Sequence, residues 1–206
     1  MQAPLLIPGA RPVQLQGSAV ARSILRAFGW RVDFEGLPAL QGVVMVYPHT
    51  SNWDFVIGIL AKWAIGIPVK FWAKDSLFKP PLLGPWVKWV GGVPVDRSGG
   101  AKGMVGGTVA QIVDARTNEQ FYWLAVAPEG TRSFTPGWRS GAYRVALEAG
   151  VPVGLVALDY GHKRVRFKTF VMPGGDPTAD FAMFEQALGG PRAKRPELAG
   201  PITLRK

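Results

Sequence analysis

The chain has only two histidines, and His49 lies in the segment PHTSNWD, just after the apolar run VVMVY. Asp54 follows it by five residues. If the run is a strand ending at Pro48 and Asn52 caps the next helix, the Asp54 carboxylate can reach one imidazole nitrogen. Such a pair fixes the tautomer and leaves the other nitrogen free as a general base, which could activate a hydroxyl. The spacing also fits a loop histidine hydrogen-bonded to a capping aspartate.

A second polar segment, APEGTRS, also comes directly after an apolar run, residues 121–127. Within it, Gly130 permits close approach to the backbone, and the hydroxyls of Thr131 and Ser133 can donate hydrogen bonds. Arg132 carries a forked cation that suits a phosphate group, and Glu129 beside it could orient that cation. The same residues would also fit a tight turn with a surface ion pair.

A third segment, GGVPVDRSGG, repeats the pattern of a short apolar run followed by charged residues and glycines. Its Arg97, which follows Asp96, would be a second ligand for a phosphate. Considered alone, Arg97 also fits a solvated arginine in a flexible turn. Functional groups in α/β sheets gather at the carboxyl ends of strands, so we expect polar segments that follow strands to converge on one crevice.

The elements that must position these segments alternate between strands and helices. Hydrophobic patterning predicts strands at 31–34, 43–47, 69–73, 92–95, 121–127 and 151–159, and helices at 17–30, from 52 onward, and at 101–115, 141–149 and 181–188. This alternation is typical of an α/β fold with a central, mostly parallel sheet flanked by helices. Residues 162–168 form a basic, hairpin-like segment in which we expect His162 to be a surface histidine.

Length and composition favour one globular domain over residues 1–206, because 48% of the residues are hydrophobic. Residues 190–206 are polar and rich in proline and glycine, and we expect them and residues 1–16 to be loose ends. The first residues lack the pattern of a signal peptide, and the longest apolar region, 55–69, is interrupted by Lys62. We therefore expect neither export nor a membrane-spanning helix.

Charge narrows the choice of partner. The chain has 24 Lys and Arg against 14 Asp and Glu, a formal net charge of +10 that favours an anionic membrane surface, an acidic carrier protein or nucleic acid. No zinc-finger spacing, basic heptad region or RNA-recognition motif accompanies this charge, so we do not expect nucleic acid as a partner. The chain has no cysteine, which excludes disulfides, thiolate metal sites and a cysteine nucleophile.

Two regions could touch a membrane. Residues 17–30 form a short basic amphipathic element, which fits either an ordinary surface helix or membrane contact. Between residues 53 and 89, five tryptophans alternate with lysines, which fits either core packing with outward lysines or a surface at the lipid headgroup level that admits the acyl chain. The residues concerned are Trp53, Trp63, Trp72, Trp86, Trp89, Lys62, Lys70, Lys74, Lys79 and Lys88.

Taken together and in order, these segments resemble the lysophosphatidic-acid acyltransferase family of glycerolipid acyltransferases, over about residues 30–168. The family's H-x-x-x-x-D block corresponds to His49 and Asp54, and its G-x-x-x-x-D-R block to the stretch from Gly91 to Arg97. Its P-E-G-T-R-S block is matched by residues 128–133, and its V-P-x-x-P strand is matched in part by VPVGLVAL. A W/F-K-x-G stretch also has a counterpart, with Arg139 in place of lysine.

The resemblance implies a glycerol-3-phosphate acyltransferase-like fold and transfer of a fatty acyl group to the hydroxyl of a lysophosphatidic acid-like or other lysolipid. The donor would be acyl-CoA or acyl carrier protein. His49 would take the proton from the acceptor hydroxyl and Asp54 would orient His49, with no metal and no cofactor. The acceptor phosphate would be bound by Arg97, Glu129, Gly130, Thr131 and Arg132.

The segments PHTSNWDF and LDYGHK are closer to small bacterial members of the family that lack membrane-spanning helices. The resemblance therefore also implies a cytoplasmic protein, peripheral on the inner face of the cell membrane, with a lipid acceptor, an anionic membrane surface and acyl carrier protein as candidate partners.

The chain departs from the family pattern at three positions, which leaves the identity of the acceptor open. Pro48 stands where many members have asparagine, Ala127 where phenylalanine is common, and Leu155 where the fourth block has its second proline. Two other functions stay open. One is a hydrolase in which His49 activates water on a thioester or ester, and the other is a catalytically inactive, lipid-binding module at the membrane surface.

Overall fold

Strands and helices alternate along most of the chain. The computed structural model describes residues 3–9, 11–95 and 100–205. The strands in these ranges are β1 (Leu5–Leu6), β2 (Arg31–Asp33), β3 (Gln41–Tyr47), β4 (Lys70–Lys74), β5 (Gly92–Val95), β6 (Tyr122–Val126), β7 (Val153–Asp159) and β8 (Arg164–Met172). The helices are α1 (Ala19–Ala27), α2 (Asn52–Ile65), α3 (Leu83–Trp89), α4 (Gly100–Thr117), α5 (Gly141–Ala149) and α6 (Pro177–Leu188), with 3-10 turns at Asp75–Phe78 and Pro196–Leu198.

The eight strands of the described ranges form one sheet. Its order is β1-β8-β7-β3-β6-β4-β5, with β2 also beside β8. The five strands from β7 to β5 are mutually parallel. The strand β8 runs antiparallel to β7 and to β1 but parallel to β2. The predicted α/β fold with a central, mostly parallel sheet is confirmed.

Two apolar cores lie on opposite faces of this sheet, because successive side chains of a strand point in opposite directions. In β3, Val43 and Met45 face the core that is formed with α4, α5 and α6, whereas Val44 faces the core that is formed with α1 and α2. Neighbouring residues of β6 divide in the same way, with Leu124 in the first core and Trp123 in the second. Helices therefore cover both faces of the parallel strands.

Strand register brings the first two polar segments to the same edge of the sheet. Met45 of β3 pairs with Val126 of β6 on one side and with Leu155 of β7 on the other. His49 follows Met45 by four residues and Glu129 follows Val126 by three, so both leave the sheet at its carboxyl edge. The expectation that these two segments converge is confirmed.

Helix α3 has no counterpart in the sequence prediction. Its sequence, LGPWVKW, follows two prolines and itself contains Gly84 and Pro85, a composition that normally indicates a turn. Proline is tolerated there because it lies within the first turn of a helix, where its missing N–H would have no partner in the helix. The predicted hairpin-like segment 162–168 is confirmed: it contains the end of the turn after β7 and the start of β8, which runs back antiparallel to β7.

The end segments, which the sequence predicts to be loose, make specific backbone contacts in the described residues. At the amino end, Leu5 pairs with Met172 of β8, and Val13 forms an isolated bridge with Leu37. These contacts are irregular and long-range, so no local periodicity signals them in the sequence.

At the carboxyl end, residues 189–205 run along the edge of the sheet that carries His49 and Glu129; we call them the C-terminal segment. The backbone N–H of Tyr160 donates to the carbonyl of Arg192 at 2.9 Å, and that of Trp138 donates to the carbonyl of Thr203 at 2.7 Å. The N–H of Arg205 donates back to the Trp138 carbonyl at 2.8 Å. These bonds to distant loops, together with the buried side chains of Ala193 and Ile202, hold the segment against the sheet.

Candidate active site

The loop between β3 and α2 ends in a capping box. Ser51 is the N-cap of α2, and its side chain accepts a hydrogen bond from the N–H of Trp53 at 3.2 Å. Asp54 reaches back in return: its Oδ2 accepts from the N–H groups of Ser51 at 2.8 Å and Thr50 at 2.7 Å. The prediction that Asn52 is the cap is wrong by one residue, because the serine–aspartate pair three residues apart satisfies the backbone donors of the first turn.

His49 lies beside this carboxylate, as the spacing predicts. Its Nδ1 is 3.4 Å from Oδ2 of Asp54, and the side chains are 22% and 2% exposed, respectively. This separation is longer than an ordinary hydrogen bond but within ionic contact, and such contacts can tighten when substrate binds. In the described ranges no residue hydrogen-bonds the Nε2 atom of His49. That nitrogen is therefore available to a substrate hydroxyl.

The surroundings of Asp54 keep it ionised. Burial alone would raise the pKa of this carboxyl. The contact with His49 and the hydrogen bonds from Tyr160 and from the N–H groups of Ser51 and Thr50 outweigh burial and lower the pKa below its usual value. The position in the first turn of α2 also favours a negative charge, because the amide dipoles of a helix point their positive ends there. Asp54 can therefore stabilise an imidazolium at His49.

Tyr160, which directly follows β7, is a member of this site that the sequence does not reveal. Its hydroxyl donates to Oδ1 of Asp54 at 2.6 Å. Burial, the hydrogen bond to Asp54 and the charge of Asp54 all raise the pKa of Tyr160, so the hydroxyl stays a donor. The two residues are 106 positions apart in the chain. The position of Tyr160 after a strand, at the same edge of the sheet, is the one signal that could have indicated it.

Glu129 is buried behind the His49 loop rather than facing an acceptor site. The residue is 1% exposed, its Oε2 accepts from the N–H of His49 at 2.6 Å, and its Oε1 accepts from the N–H of Gly200 at 3.2 Å. The prediction that Glu129 binds the acceptor phosphate is therefore wrong. Both oxygens of this buried carboxylate accept backbone hydrogen bonds, and a carboxylate would repel an anion. Within the described structure Glu129 forms no ion pair with Arg132 either.

The charge state of Glu129 responds to two opposed influences. Burial raises its pKa above the usual value, and the charge of Asp54 adds to this, while the N–H groups of Gly200 and His49 and the charge of a protonated His49 lower it. The net shift is upward, opposite to that of Asp54. The two carboxyl groups on either side of His49 are thus placed in different environments.

Gly130 and Arg139 pack together next to Glu129. Gly130 has φ +67, a left-handed conformation, and a Cβ there would lie 2.6 Å from Nε of Arg139. The N–H of Arg139 donates to the carbonyl of Pro128 at 2.8 Å, which holds the two stretches together. Only glycine allows the arginine to lie this close to the turn.

Thr131 and Arg132 follow at the surface. The Thr131 hydroxyl accepts from the N–H of Ser133 at 3.2 Å, which fixes the turn. Arg132 is exposed and has no ion pair with a carboxylate in the ranges the structure describes. Two arginines, Arg132 and Arg139, thus lie on the Gly130 turn, whereas Arg97, the other predicted phosphate ligand, lies outside the described residues.

The C-terminal segment borders the site on the side of Tyr160. The N–H of Arg195 donates to the Thr50 hydroxyl at 3.2 Å, and the Nζ atom of Lys194 lies 5.6 Å from the centre of the Tyr160 ring. Arg192, Lys194 and Arg195 are exposed, and none of them forms an ion pair within the described ranges. The sequence does not predict this second group of cations at the site.

An exposed apolar surface begins next to Asp54 and extends over the helices α1, α2 and α3. Helix α2 joins the other two: the N–H of Ser18 before α1 donates to the Trp63 carbonyl at 2.8 Å, and Trp63 packs on Trp89 of α3 with ring centres 5.6 Å apart. We define this surface by its exposed apolar residues, Val20, Ile24, Phe28, Trp53, Val56, Leu82, Leu83, Trp86 and Trp89.

The tryptophans divide between positions packed on the core and exposed positions. Trp72 packs against the core and donates from Nε1 to the Thr108 hydroxyl at 3.3 Å, whereas Trp53 and Trp89 are among the most exposed apolar side chains. No helix in the described part of the chain is long and apolar enough to cross a membrane.

The second histidine lies apart from His49, at the surface. Its side chain is 75% exposed, and its Nδ1 is 2.7 Å from Oδ2 of Asp159, so the prediction of a surface histidine at His162 is confirmed. Among the described residues no group of three or more His, Asp or Glu side chains is arranged to hold a metal ion. The arrangement supports proton transfer, because an ionised carboxylate contacts one nitrogen of the imidazole and no described residue hydrogen-bonds the other nitrogen.

Comparisons with known proteins show which proteins this chain is similar to. Residues 31–158, more than half of the chain, match the protein-family model described as Acyltransferase. Among solved structures, the chain is similar to the crystal structure of the 1-acyl-sn-glycerophosphate (LPA) acyltransferase PlsC from Thermotoga maritima. The identity is 19%, the match covers 82% of this chain and 73% of that chain, and the TM-score is 0.48. No curated protein matches the chain.

The lowered pKa of Asp54 predicts how stability changes with pH. A carboxyl whose pKa is lower in the folded state contributes stability above its unfolded pKa, about 3.9, and loses it as pH falls through the folded pKa. We expect the free energy of unfolding of Asp54→Asn to lie below that of the wild type above about pH 5, and the difference to narrow below about pH 4. Denaturant unfolding at each pH measures this difference.

The control for this experiment is Asp75→Asn, at an exposed carboxylate whose Oδ2 lies 3.7 Å from Nζ of Lys79. We expect little change from this variant at any pH, since exposed ion pairs contribute little. A difference between wild type and Asp54→Asn that stays constant down to pH 3 would contradict the assignment.

Proposed function

We propose that this chain, which belongs to the acyltransferase family, moves a fatty acyl group from a thioester to the hydroxyl of a lysophosphatidic acid-like or other lysolipid acceptor. The observation that carries the proposal is the pair of His49 and Asp54, whose Nδ1 and Oδ2 atoms are 3.4 Å apart at the carboxyl edge of the sheet. The Nε2 atom of His49 is the general base of the proposed reaction.

The proposed reaction is a direct transfer. Nε2 of His49 takes the proton of the acceptor hydroxyl while its oxygen attacks the thioester carbonyl carbon, forming the new C–O bond. The tetrahedral intermediate then breaks its C–S bond, and the sulfur leaves with the proton held by His49. The products are the acylated lipid and a free thiol, and the enzyme returns to its starting state without a covalent acyl intermediate.

Two buried carboxylates support the base in this proposal. Asp54 stabilises the imidazolium that forms during transfer and holds the Nδ1 side of the ring. Glu129 acts through the backbone: by accepting from the N–H of His49 at 2.6 Å, it fixes where the loop leaves β3. This role replaces the phosphate contact that the resemblance implies for Glu129.

The acceptor phosphate is proposed to lie at the Gly130 turn. Arg132 is exposed there without a carboxylate partner among the described residues, and a forked guanidinium suits a phosphate. Gly130 lets a second guanidinium, that of Arg139, lie against the same turn, and Thr131 offers a hydroxyl. Arg97 belongs to the same proposed set on the strength of the family resemblance.

The thioester donor, acyl-CoA or acyl carrier protein, is proposed to approach from the C-terminal segment. Arg192, Lys194 and Arg195 give this side of the site three exposed cations, and both donors carry their acyl group on a phosphate-bearing arm. Because the Arg195 backbone bonds to the Thr50 hydroxyl, these cations border the His49 loop directly. The positive charge would attract an acidic carrier protein as well as CoA.

The exposed apolar surface is proposed to rest on an anionic membrane, at the inner face of the cell membrane. It carries exposed tryptophans next to exposed basic residues, including Arg22 and Arg26 of α1 and Lys88 of α3, a combination that favours the interfacial region. Trp53 lies one residue before Asp54, so an acyl chain leaving the bilayer along this surface would arrive at His49.

The first prediction of this proposal concerns His49. Wild-type protein should transfer radiolabelled palmitate from palmitoyl-CoA or palmitoyl acyl carrier protein to a lysophospholipid, with products read by chromatography. His49→Ala should lower this rate by about a thousandfold or more, because the general base is lost. The matched control is His162→Ala, at the exposed histidine, which should keep the wild-type rate.

Other outcomes of this experiment support other functions. Release of free palmitate at the same rate with every acceptor, without an acylated lipid, would support a hydrolase. A His49→Ala variant as active as the wild type would exclude His49 as the base, and a wild-type protein that binds lipid without any turnover would support an inactive lipid-binding module.

A second prediction tests the acceptor phosphate. Arg132→Gln should raise KM for lysophosphatidic acid by about 10- to 100-fold, the effect of losing one charge-assisted hydrogen-bonding group, and should leave transfer to monoacylglycerol, which has no phosphate, unchanged. The control is Arg144→Gln, which removes a surface arginine whose Nη2 is 2.7 Å from Oε1 of Glu148. Equal losses with both acceptors in Arg132→Gln would contradict the assignment.

A third prediction tests the membrane contact by cosedimentation with vesicles of phosphatidylcholine and phosphatidylglycerol. Trp89→Glu should weaken binding by about tenfold, because an apolar side chain is replaced by a charge that the anionic surface repels. Val113→Glu, an exposed position of α4 in the opposite helical layer, should bind like the wild type. Wild-type binding should also fall as salt rises. Equal binding by both variants would contradict this contact.

A further inference from the structure

We propose that Tyr160 is a positioning residue for acyl transfer, whose hydroxyl holds the Asp54 carboxylate so that Oδ2 is presented to Nδ1 of His49. This inference rests on the proposed function of the His49–Asp54 pair and adds a third member to it. Tyr160 touches neither donor nor acceptor in this scheme, since it acts through Asp54.

The distribution of hydrogen bonds over the two oxygens of Asp54 carries the argument. Oδ2 accepts from the N–H groups of Thr50 and Ser51 and lies 3.4 Å from His49. Oδ1 has one partner among the described residues, the Tyr160 hydroxyl at 2.6 Å. Without this bond only Oδ2 of the carboxylate would be held. Rotation about the Cβ–Cγ bond of Asp54 could then place Oδ1 instead of Oδ2 opposite His49.

Tyr160 is itself held from several sides, as a positioning group must be. Its N–H donates to the Arg192 carbonyl at 2.9 Å, and its ring packs edge-on against Trp30 with centres 4.9 Å apart and planes at 89°. Lys194 lies over the ring, with Nζ 5.6 Å from its centre. The aromatic pair and the cation restrict the ring, so the direction of the hydroxyl is set before substrate binds.

The Tyr160 hydroxyl and His49 both contact the Asp54 carboxylate and are both stabilised by its negative charge. In the part of the chain that the structure describes, the contacts place four charged or titratable groups around the imidazole. They are Asp54 from α2, Glu129 from the turn after β6, Tyr160 from the end of β7 and, beyond the Tyr160 ring, Lys194 from the C-terminal segment. Removing the Tyr160 hydroxyl leaves more charge on the carboxylate, which favours the protonated form of His49. A purely structural link between β7 and α2 would not move this proton equilibrium.

The test compares Tyr160→Phe with the wild type. We expect kcat to fall about tenfold while KM for donor and acceptor stays unchanged, and the acid limb of the pH–rate profile to shift to higher pH. The matched control is Tyr143→Phe, which removes the same kind of bond, a tyrosine hydroxyl 2.5 Å from Oδ2 of the buried Asp180, in the other core. This control should lose stability but keep the wild-type pH–rate profile.

A second measurement does not depend on activity. Because the chain has only two histidines, NMR can follow the titration of each ring, and the signal missing in His49→Ala identifies His49. In Tyr160→Phe we expect the midpoint of the His49 titration to move to higher pH and that of His162 to stay in place. If the wild-type protein transfers no acyl group, the proposed function is contradicted. The NMR shift would still show whether the Tyr160 hydroxyl affects the protonation of His49.

The inference would be overturned by a Tyr160→Phe variant with wild-type kcat and an unmoved His49 titration. It would equally be overturned if the variant lost stability alone, as Tyr143→Phe is expected to do, because Tyr160 would then have a structural role without any effect on His49.

Discussion

The rest of the site depends on the hydrogen bonds and the ionic contact that the Asp54 carboxylate makes. It completes the capping box that starts α2, and it is also the anion that faces His49. Hydrogen bonds from the backbone and from Tyr160 outweigh the cost of burying this charge and keep its pKa low. Because the helix start and the histidine share one side chain, any change that loosens the first turn of α2 also displaces the partner of His49.

A second buried carboxylate, Glu129, connects this loop to the remainder of the fold. It accepts from the N–H of His49 on one side and of Gly200 on the other, so one side chain joins the turns after β3 and β6 to the C-terminal segment. Burial raises its pKa while the neighbouring Asp54 has a lowered one. The two groups differ because Asp54 accepts hydrogen bonds from two backbone N–H groups and the Tyr160 hydroxyl, whereas Glu129 accepts from only two backbone N–H groups among the described residues.

Local sequence patterns predict much of the fold because they reflect burial on one or both faces of an element. The apolar run before His49 predicts β3, and the helical spacing with a terminal Gly150 predicts the observed bounds of α5. The patterns fail for α3, where prolines and glycine signal a turn, and for the C-terminal segment, whose polar residues bond to distant loops. In those regions tertiary contacts, not local periodicity, decide the conformation.

The sequence by itself determined the pairing of His49 with Asp54, because five residues across a strand end and a first helical turn bring their side chains together wherever the fold places them. Only the tertiary structure decided what surrounds the pair. The contact of Tyr160 with Asp54 spans 106 residues, and the position of Glu129 behind His49 follows from the parallel register of β3 and β6. Contacts between residues so far apart in the chain arise from packing of the whole sheet, so no local sequence pattern predicts them.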